Sequence, residues 1–247
     1  MFEQYFNTAI DLLNKIKNEQ KKTIEKAGKK IAESIEGGGI VYLFGCGHSH
    51  ILTEEVFYRA GGLAPIYPIF HEPLMLHEGA AASSVLERKN DYADKFMRNV
   101  DIQEKDIIIV ISTSGRNPVP IDVAKIAKEK GAFIVVLTSL TYSKSQPSRH
   151  ISGQSLFEMG NIVIDNGAVS GDAVLSLPNL EIPFASTSTL TGVAILQSIF
   201  AESIEQMEKD NFEPPIFLSG NTENADKHNE KLLKKYEKRI PLLTKNL

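Results

Sequence analysis

Two short stretches of this 247-residue chain gather the residue types that hold an anion. The first is Gly45-Cys46-Gly47-His48-Ser49-His50, and the second is Ser112-Thr113-Ser114-Gly115-Arg116-Asn117. Each follows an apolar run, residues 40–44 and 106–111, and each precedes a helix-like stretch. The run before the second is β-branched and lacks alternation, as expected of a strand buried on both faces of a parallel sheet. Pro118 and Pro120 suit a first helical turn, where a missing N–H has no partner to lose. Asn117 then stands at the N-cap position. Three hydroxyls, a glycine and several N–H groups meet where a strand hands over to a helix, a place that favours negative charge.

Other readings of these residues fit less well. A dinucleotide fingerprint needs a third glycine where His50 stands, although Glu72 could take the part of the ribose-binding acid. There is no Lys-Ser/Thr ending of a nucleoside-triphosphate loop, and Ser114 lacks the G-x-S-x-G elbow of a serine hydrolase. Pro73 breaks the helix that an H-E-x-x-H zinc motif requires, and His77 lies six residues beyond His71 rather than four. A metal centre would need His48, His50, His71 and His77 to converge in space with Glu72 and Glu78; we expect none, and no cofactor.

The elements that must position the two loops follow from the rest of the chain. Phe2, Phe6, Ile10, Leu13, Ile16, Ile24, Ile31 and Ile35 recur at helical spacing, predicting an amphipathic helix or pair that must pack on something. After Gly37-Gly38-Gly39 the pattern predicts strands at 40–44, 65–70, 107–111, 132–137 and 161–164, with a last one at 183–187. Between them it predicts a helix through Leu52, Val56, Phe57 and Ala60, another over 80–97, and one after Asn117. Residues 142–154 read as a loop, 189–207 as a long helix, and the tail as a loop plus an exposed helix. His150 and His228 are expected at the surface. Strands alternating with helices indicate an α/β fold with a mainly parallel sheet, in which ligands bind beyond the carboxyl ends of the strands.

Composition bounds the function. With 42% hydrophobic residues the chain can bury a full core. A formal net charge of −4 gives no basic footprint, so nucleic acid is not an expected partner. Cys46 is the only cysteine, so a reducing compartment is expected and no internal disulfide can form. No apolar run approaches a membrane span, and the first residues lack a signal pattern. We expect a cytoplasmic protein.

The pairing of Gly45-Cys46-Gly47-His48-Ser49 with Ser112-Thr113-Ser114-Gly115-Arg116-Asn117 resembles the two phosphosugar-binding loops of sugar isomerase (SIS) domains, over about residues 36–207. The fuller strings GCGHSH, HEPLMLHEG, STSGRNPVPID and FLSGN resemble a bacterial SIS subfamily that lacks an assigned reaction. Better-understood relatives are phosphoheptose isomerase and N-acetylmuramic acid 6-phosphate etherase. The resemblance implies a three-layer α/β sandwich with a five-stranded parallel sheet of flavodoxin-like order. It implies one SIS domain over 1–247, with a helical segment 1–36, a core 37–207 and an extension 208–247. It also implies a homodimer or homotetramer with the site near a subunit interface.

Carried over residue by residue, the resemblance has Ser112, Ser114 and Asn117 bind the phosphate of a phosphorylated sugar, with Thr113 alongside. Gly45, Gly47, His48 and Ser49 approach the sugar end, and Ser186, Thr187 and Ser188 contact the ligand before the last long helix. The family's acid and base do not transfer, because the loop after the first helix is short and the final helix has no histidine. Gln197 is that helix's notable polar residue. We favour His77 with Glu78 as the catalytic pair. A carboxylate among apolar neighbours has a raised pKa, and a histidine titrates near neutrality. His48 and Glu54 come second, and capping of the helix that follows is the alternative role for His77-Glu78. The expected reaction is aldose–ketose isomerisation by proton abstraction next to a carbonyl. An ether-cleaving elimination and a non-catalytic phosphosugar sensor are the alternatives.

Overall fold

The computed structural model describes residues 1–223 and 225–246. In chain order its elements are α1 (Phe2–Glu19), α2 (Lys21–Glu36), β1 (Val41–Gly45), α3 (Ser49–Glu55), β2 (Ile66–Pro68), α4 (Ala80–Leu86), α5 (Asp94–Met97), β3 (Ile107–Ile111), α6 (Pro118–Glu129), β4 (Phe133–Thr138), α7 (Leu140–Ser145), β5 (Ile162–Asp165), β6 (Leu175–Leu177), β7 (Leu180–Phe184), α8 (Ser188–Lys209) and α9 (Ala225–Tyr236). Five strands form one parallel sheet in the order β2-β1-β3-β4-β5, which is the flavodoxin-like order.

Alternate residues of the central strands point to opposite faces, and helices cover both. Tyr42, Phe44, Ile108 and Val110 pack with Val119, Val123 and Ala127 of α6, Met97 of α5 and Tyr236 of α9. Val41, Leu43, Ile107, Ile109 and Ile111 pack with Ile31 and Ile35 of α2 and with Ile195 and Ile199 of α8. Each such side chain contributes about 1.5–3 kcal/mol by leaving water. Helices α2 and α8 meet so closely that a Cβ on Gly28 would stand 3.0 Å from the Ile199 carbonyl and 2.5 Å from the Glu202 Cβ. Only glycine fits that crossing.

Several boundaries differ from the sequence expectation, each for a local reason. The helix after the first loop stops at Glu55 rather than reaching Ala60, and Tyr58 beyond it is left-handed (φ 46°). The segment 80–97 is not one helix but α4 and α5, broken at the left-handed Asp91 (φ 59°). The segment 142–154 is a loop only in part, because Ser139 accepts a hydrogen bond from the Tyr142 N–H and caps α7. The last strand is β7, which pairs with β6 in a separate antiparallel hairpin outside the main sheet. In α1, Ala9 and Ile16 are buried while Phe2, Phe6 and Ile10 are exposed, so its apolar stripe packs only at one end.

The tail is more than an exposed helix. Tyr236 and Ile240 are buried, and one nitrogen of the Arg239 guanidinium bonds the fully buried carboxylate of Asp106 at 2.6 Å. Asp106 also accepts from the N–H groups of Ile40 (2.8 Å) and Gln103 (2.7 Å), so the tail is tied to the entry of both β1 and β3.

Candidate functional site

Strands β1 and β3 run side by side with Gly45 opposite Ile111, so the loops that follow them leave the same edge of the sheet. From there the chain crosses to β2 on one side and to β4 on the other. That divergence opens a crevice at the carboxyl ends of the strands.

The second loop leaves several N–H groups unbonded at the edge of this crevice. Four of its carbonyls are engaged by the rest of the chain. Thr113 accepts from the Ser139 N–H (3.0 Å), Ser114 from the Ser143 hydroxyl (2.8 Å), Gly115 from the Leu156 N–H (2.8 Å) and Arg116 from the Arg149 N–H (2.8 Å). The N–H groups of Thr113, Ser114, Arg116 and Asn117, and the hydroxyls of Thr113 and Ser114, have no partner among the described residues. Ser112 is different: its hydroxyl accepts from the Gly115 N–H (3.2 Å) and braces the turn. Gly115 is left-handed (φ 59°), and a Cβ there would press into the hydroxyls of Ser143 and Thr138. Asn117 occupies the N-cap position of α6, but its side chain makes no cap hydrogen bond. Its Oδ1 accepts instead from the Arg149 guanidinium at 3.0 Å.

In the first loop the Gly47 N–H bonds the Leu74 carbonyl (3.1 Å), which ties the loop to the segment carrying His71 and His77. His48 is exposed, Ser49 is half-buried, and His50 is buried with Nδ1 2.5 Å from the Gly47 carbonyl. Its ring lies 6.2 Å from that of His77. His77 and Glu78 are 3.6 Å apart, but their side chains are 64% and 50% exposed, so the desolvation expected around Glu78 is not met. Leu74 and Met75 take the inward positions, leaving the His-Glu pair toward solvent. His71 is stacked on Phe96 (centroids 4.5 Å apart) with Nε2 3.1 Å from the Tyr92 hydroxyl; burial, then the charge of Lys95, lowers its pKa. Among the described residues no group of three His, Cys, Asp or Glu side chains is arranged to hold a metal ion.

At the start of α8, Asp172 accepts from the N–H groups of Thr187 (3.1 Å) and Ser188 (3.0 Å) and from the Ser188 hydroxyl (2.5 Å). A carboxylate of the chain itself thus occupies this helix N-terminus, and Ser188 is turned to it. The Ser186 carbonyl accepts from the Tyr5 hydroxyl (2.8 Å), while the buried Thr187 hydroxyl has no partner among the described residues.

Glu87, Arg149 and His150 stand by the second loop or hold the segments beside it, and the sequence gives none of them a place there. Glu87 caps α4, and its carbonyl accepts from the Val119 N–H (3.2 Å) in the first turn of α6. Its carboxylate lies by the Asn117 amide; burial raises its pKa, against the opposing influence of Asn117, Arg88 and Arg149. His150, expected at the surface, is buried with Asp122, and the pair holds the loop that carries Arg149. His228 is likewise not a free surface residue: Nε2 lies 2.8 Å from the Ile216 carbonyl. Only an N-cap asparagine in the sequence marks the place where Glu87 and Arg149 meet.

The model of the SIS domain matches residues 4–139, a span that contains both loops and the four strands β1 to β4. The chain belongs to the SIS-domain family. The UPF0309 protein of Listeria innocua is 66% identical over 247 residues, covering 100% of both chains. That of Halalkalibacterium halodurans is 58% identical, covering 98% of this chain and 97% of the relative. Among solved structures, phosphoheptose isomerase from Neisseria gonorrhoeae superposes with a TM-score of 0.53 at 14% identity, over 84% of this chain and 97% of that one. The sugar isomerase domain of an RpiR transcription factor from Sphaerobacter thermophilus gives 0.52 at 13% identity, over 96% and 98%. At such identities the SIS fold is what these structures share. No helix among the described residues is long and apolar enough to cross a membrane.

In chemical terms the crevice has unpartnered backbone N–H groups and hydroxyls at a helix N-terminus, a setting that favours negative charge. A partly buried carboxylate stands on one flank, and on the other the first loop carries His48 and Ser49.

Proposed function

We propose that the crevice binds the phosphate of a phosphorylated sugar and that the protein is an aldose–ketose sugar-phosphate isomerase. The observation that carries this reading is the second loop, where four carbonyls are bonded within the protein while four N–H groups and two hydroxyls have no partner among the described residues. An ion with several acceptor oxygens complements that arrangement, and a phosphate is the common group that does so. In this reading Ser112 braces the loop, Thr113, Ser114 and Asn117 meet the phosphate, and Gly45, Gly47, His48 and Ser49 flank the sugar. Ser186, Thr187 and Ser188 close the far side. His77 with Glu78, at the open end, assists ring opening as acid and base. The names of the solved neighbours, two of them phosphoheptose isomerases, support the substrate class through the shared fold. The exposed Phe2, Phe6 and Ile182 support self-association, which sedimentation analysis tests.

The decisive experiment is proton NMR in heavy water on hexose 6-phosphates, their N-acetylamino counterparts and heptose phosphates. Loss of the proton beside the carbonyl, or a new ketose signal, is the expected result. Binding without any change would favour a phosphosugar sensor, and a released hydroxy acid would favour the ether-cleaving lyase. No binding at all would refute the phosphosugar reading.

A further inference from the structure

Resting on that reading, we propose that Glu87 is the group that moves the substrate proton, a role no motif assigns to it. Isomerisation by proton transfer needs a carboxylate or imidazole that reaches the sugar carbons while the phosphate is held. His77 and Glu78 stand in solvent on a short turn and are not fixed in that way. Glu87 is fixed. Its backbone carbonyl is bonded to the Val119 N–H in the first turn of α6, two residues beyond Asn117. The same helix N-terminus thus positions the phosphate loop and the carboxylate.

Two further contacts locate the side chain. It lies beside the Asn117 amide on the second-loop side, and it is near enough to Cys46 on the first-loop side to add to the upward push that burial gives that thiol. Glu87 thus neighbours a residue of each loop, Asn117 of the second and Cys46 of the first, which puts it within reach of a sugar anchored through its phosphate. Partial burial makes its carboxylate a stronger base than an exposed one. Arg149, which donates to Asn117, and Arg88 act against that upward push.

The step balances without a co-reactant. The C2–H bond of the aldose breaks, a carboxyl O–H forms on Glu87, and the electron pair passes into the carbonyl to give an enediolate. The hydroxyl proton on O2 moves to O1. Glu87 then returns its proton to C1 and regains its charge, leaving the ketose.

The test is Glu87→Gln, which keeps size and removes the base. Binding of inorganic phosphate and of the sugar phosphates named above is measured by calorimetry, and exchange of the substrate proton by NMR in heavy water. We expect affinities within about threefold of the wild type and exchange slowed about 10²–10⁴-fold, the usual contribution of a general base. If Glu87→Gln does not fold, Glu87→Asp serves, since it withdraws the carboxylate by one methylene and should slow exchange at least about tenfold. Either variant exchanging at the wild-type rate overturns the proposal, as does loss of affinity in step with loss of exchange. Binding by the wild type without exchange also overturns it. If neither phosphate nor any sugar phosphate binds the wild type, the reading of the site itself fails.

Discussion

The imidazole of His150 donates from Nε2 to Oδ1 of Asp122 across 2.9 Å, with both side chains almost wholly buried. The tautomer is set by the Ser152 N–H, which donates to Nδ1 at 3.0 Å and leaves the proton on Nε2. Oδ2 of Asp122 accepts from the Asp91 N–H at 2.8 Å, so one carboxylate joins α6, the break between α4 and α5, and the loop bearing Arg149. His150→Ala leaves that buried carboxylate oxygen without its donor, at a cost of about 1–3 kcal/mol. Urea unfolding should show the loss, and phosphate affinity should fall with it because Arg149 is no longer held beside Asn117. Unchanged phosphate affinity would mean the loop holds Arg149 without this pair.

Ser114 and Gly115 separate binding from folding. Ser114→Ala removes a hydroxyl with no protein partner, so stability should stay within about 0.5 kcal/mol. Phosphate affinity should drop about tenfold, one hydrogen bond to an ion. Gly115→Ala instead forces a side chain into a left-handed turn against Ser143 and Thr138. It should cost about 1–3 kcal/mol and abolish binding. Calorimetric titration with thermal melting reads both variants.

His77→Ala and Glu78→Ala alter exposed side chains and should leave the melting temperature unchanged. If the pair assists ring opening, turnover should fall about 10²-fold while proton exchange from the open-chain form persists. A substrate analogue that cannot cyclise should then react at the wild-type rate with both variants. If the analogue slows as well, the pair acts on the proton transfer itself.

The Glu87 carboxyl has a folded-state pKa above its unfolded value, with burial as the first cause. Its contribution to stability is therefore full below the unfolded value and is lost as pH rises through the folded one. Glu87→Gln, uncharged throughout, lacks that loss. Its melting temperature relative to the wild type should climb as pH rises from the ordinary glutamate value, about 4, through the raised folded-state one. Parallel curves would place Glu87 in surroundings as wet as those of the unfolded chain.

What the sequence makes legible here is whatever is local. The unbroken run from Ile107 to Ile111 marks a doubly buried strand, and the hydroxyl-rich turn with its two prolines marks the handover to α6. The order of the five strands follows once the family resemblance is added. What depends on contacts between distant elements is not legible. Glu87 owes its place to a bond with Val119, and His150 owes its burial to Asp122, 28 residues earlier. The apolar neighbours of His77 suggest a dry setting, but on a three-residue turn they point inward and leave the histidine outside. The hairpin of β6 and β7 lies apart from the core, so its mostly exposed residues carry no core-facing pattern to read.

The bond from Arg239 to Asp106 bears on how the chain is made. The acid that joins β1 to β3 leaves the ribosome 133 residues before the base that neutralises it (239 − 106). Until then a carboxylate at the heart of the nascent sheet has no cationic partner, and burying it alone costs several kcal/mol. The central strands can collapse early but cannot settle until the last segment arrives. A chain cut short before Arg239 would keep both loops in its sequence and leave the Asp106 carboxylate without its cation.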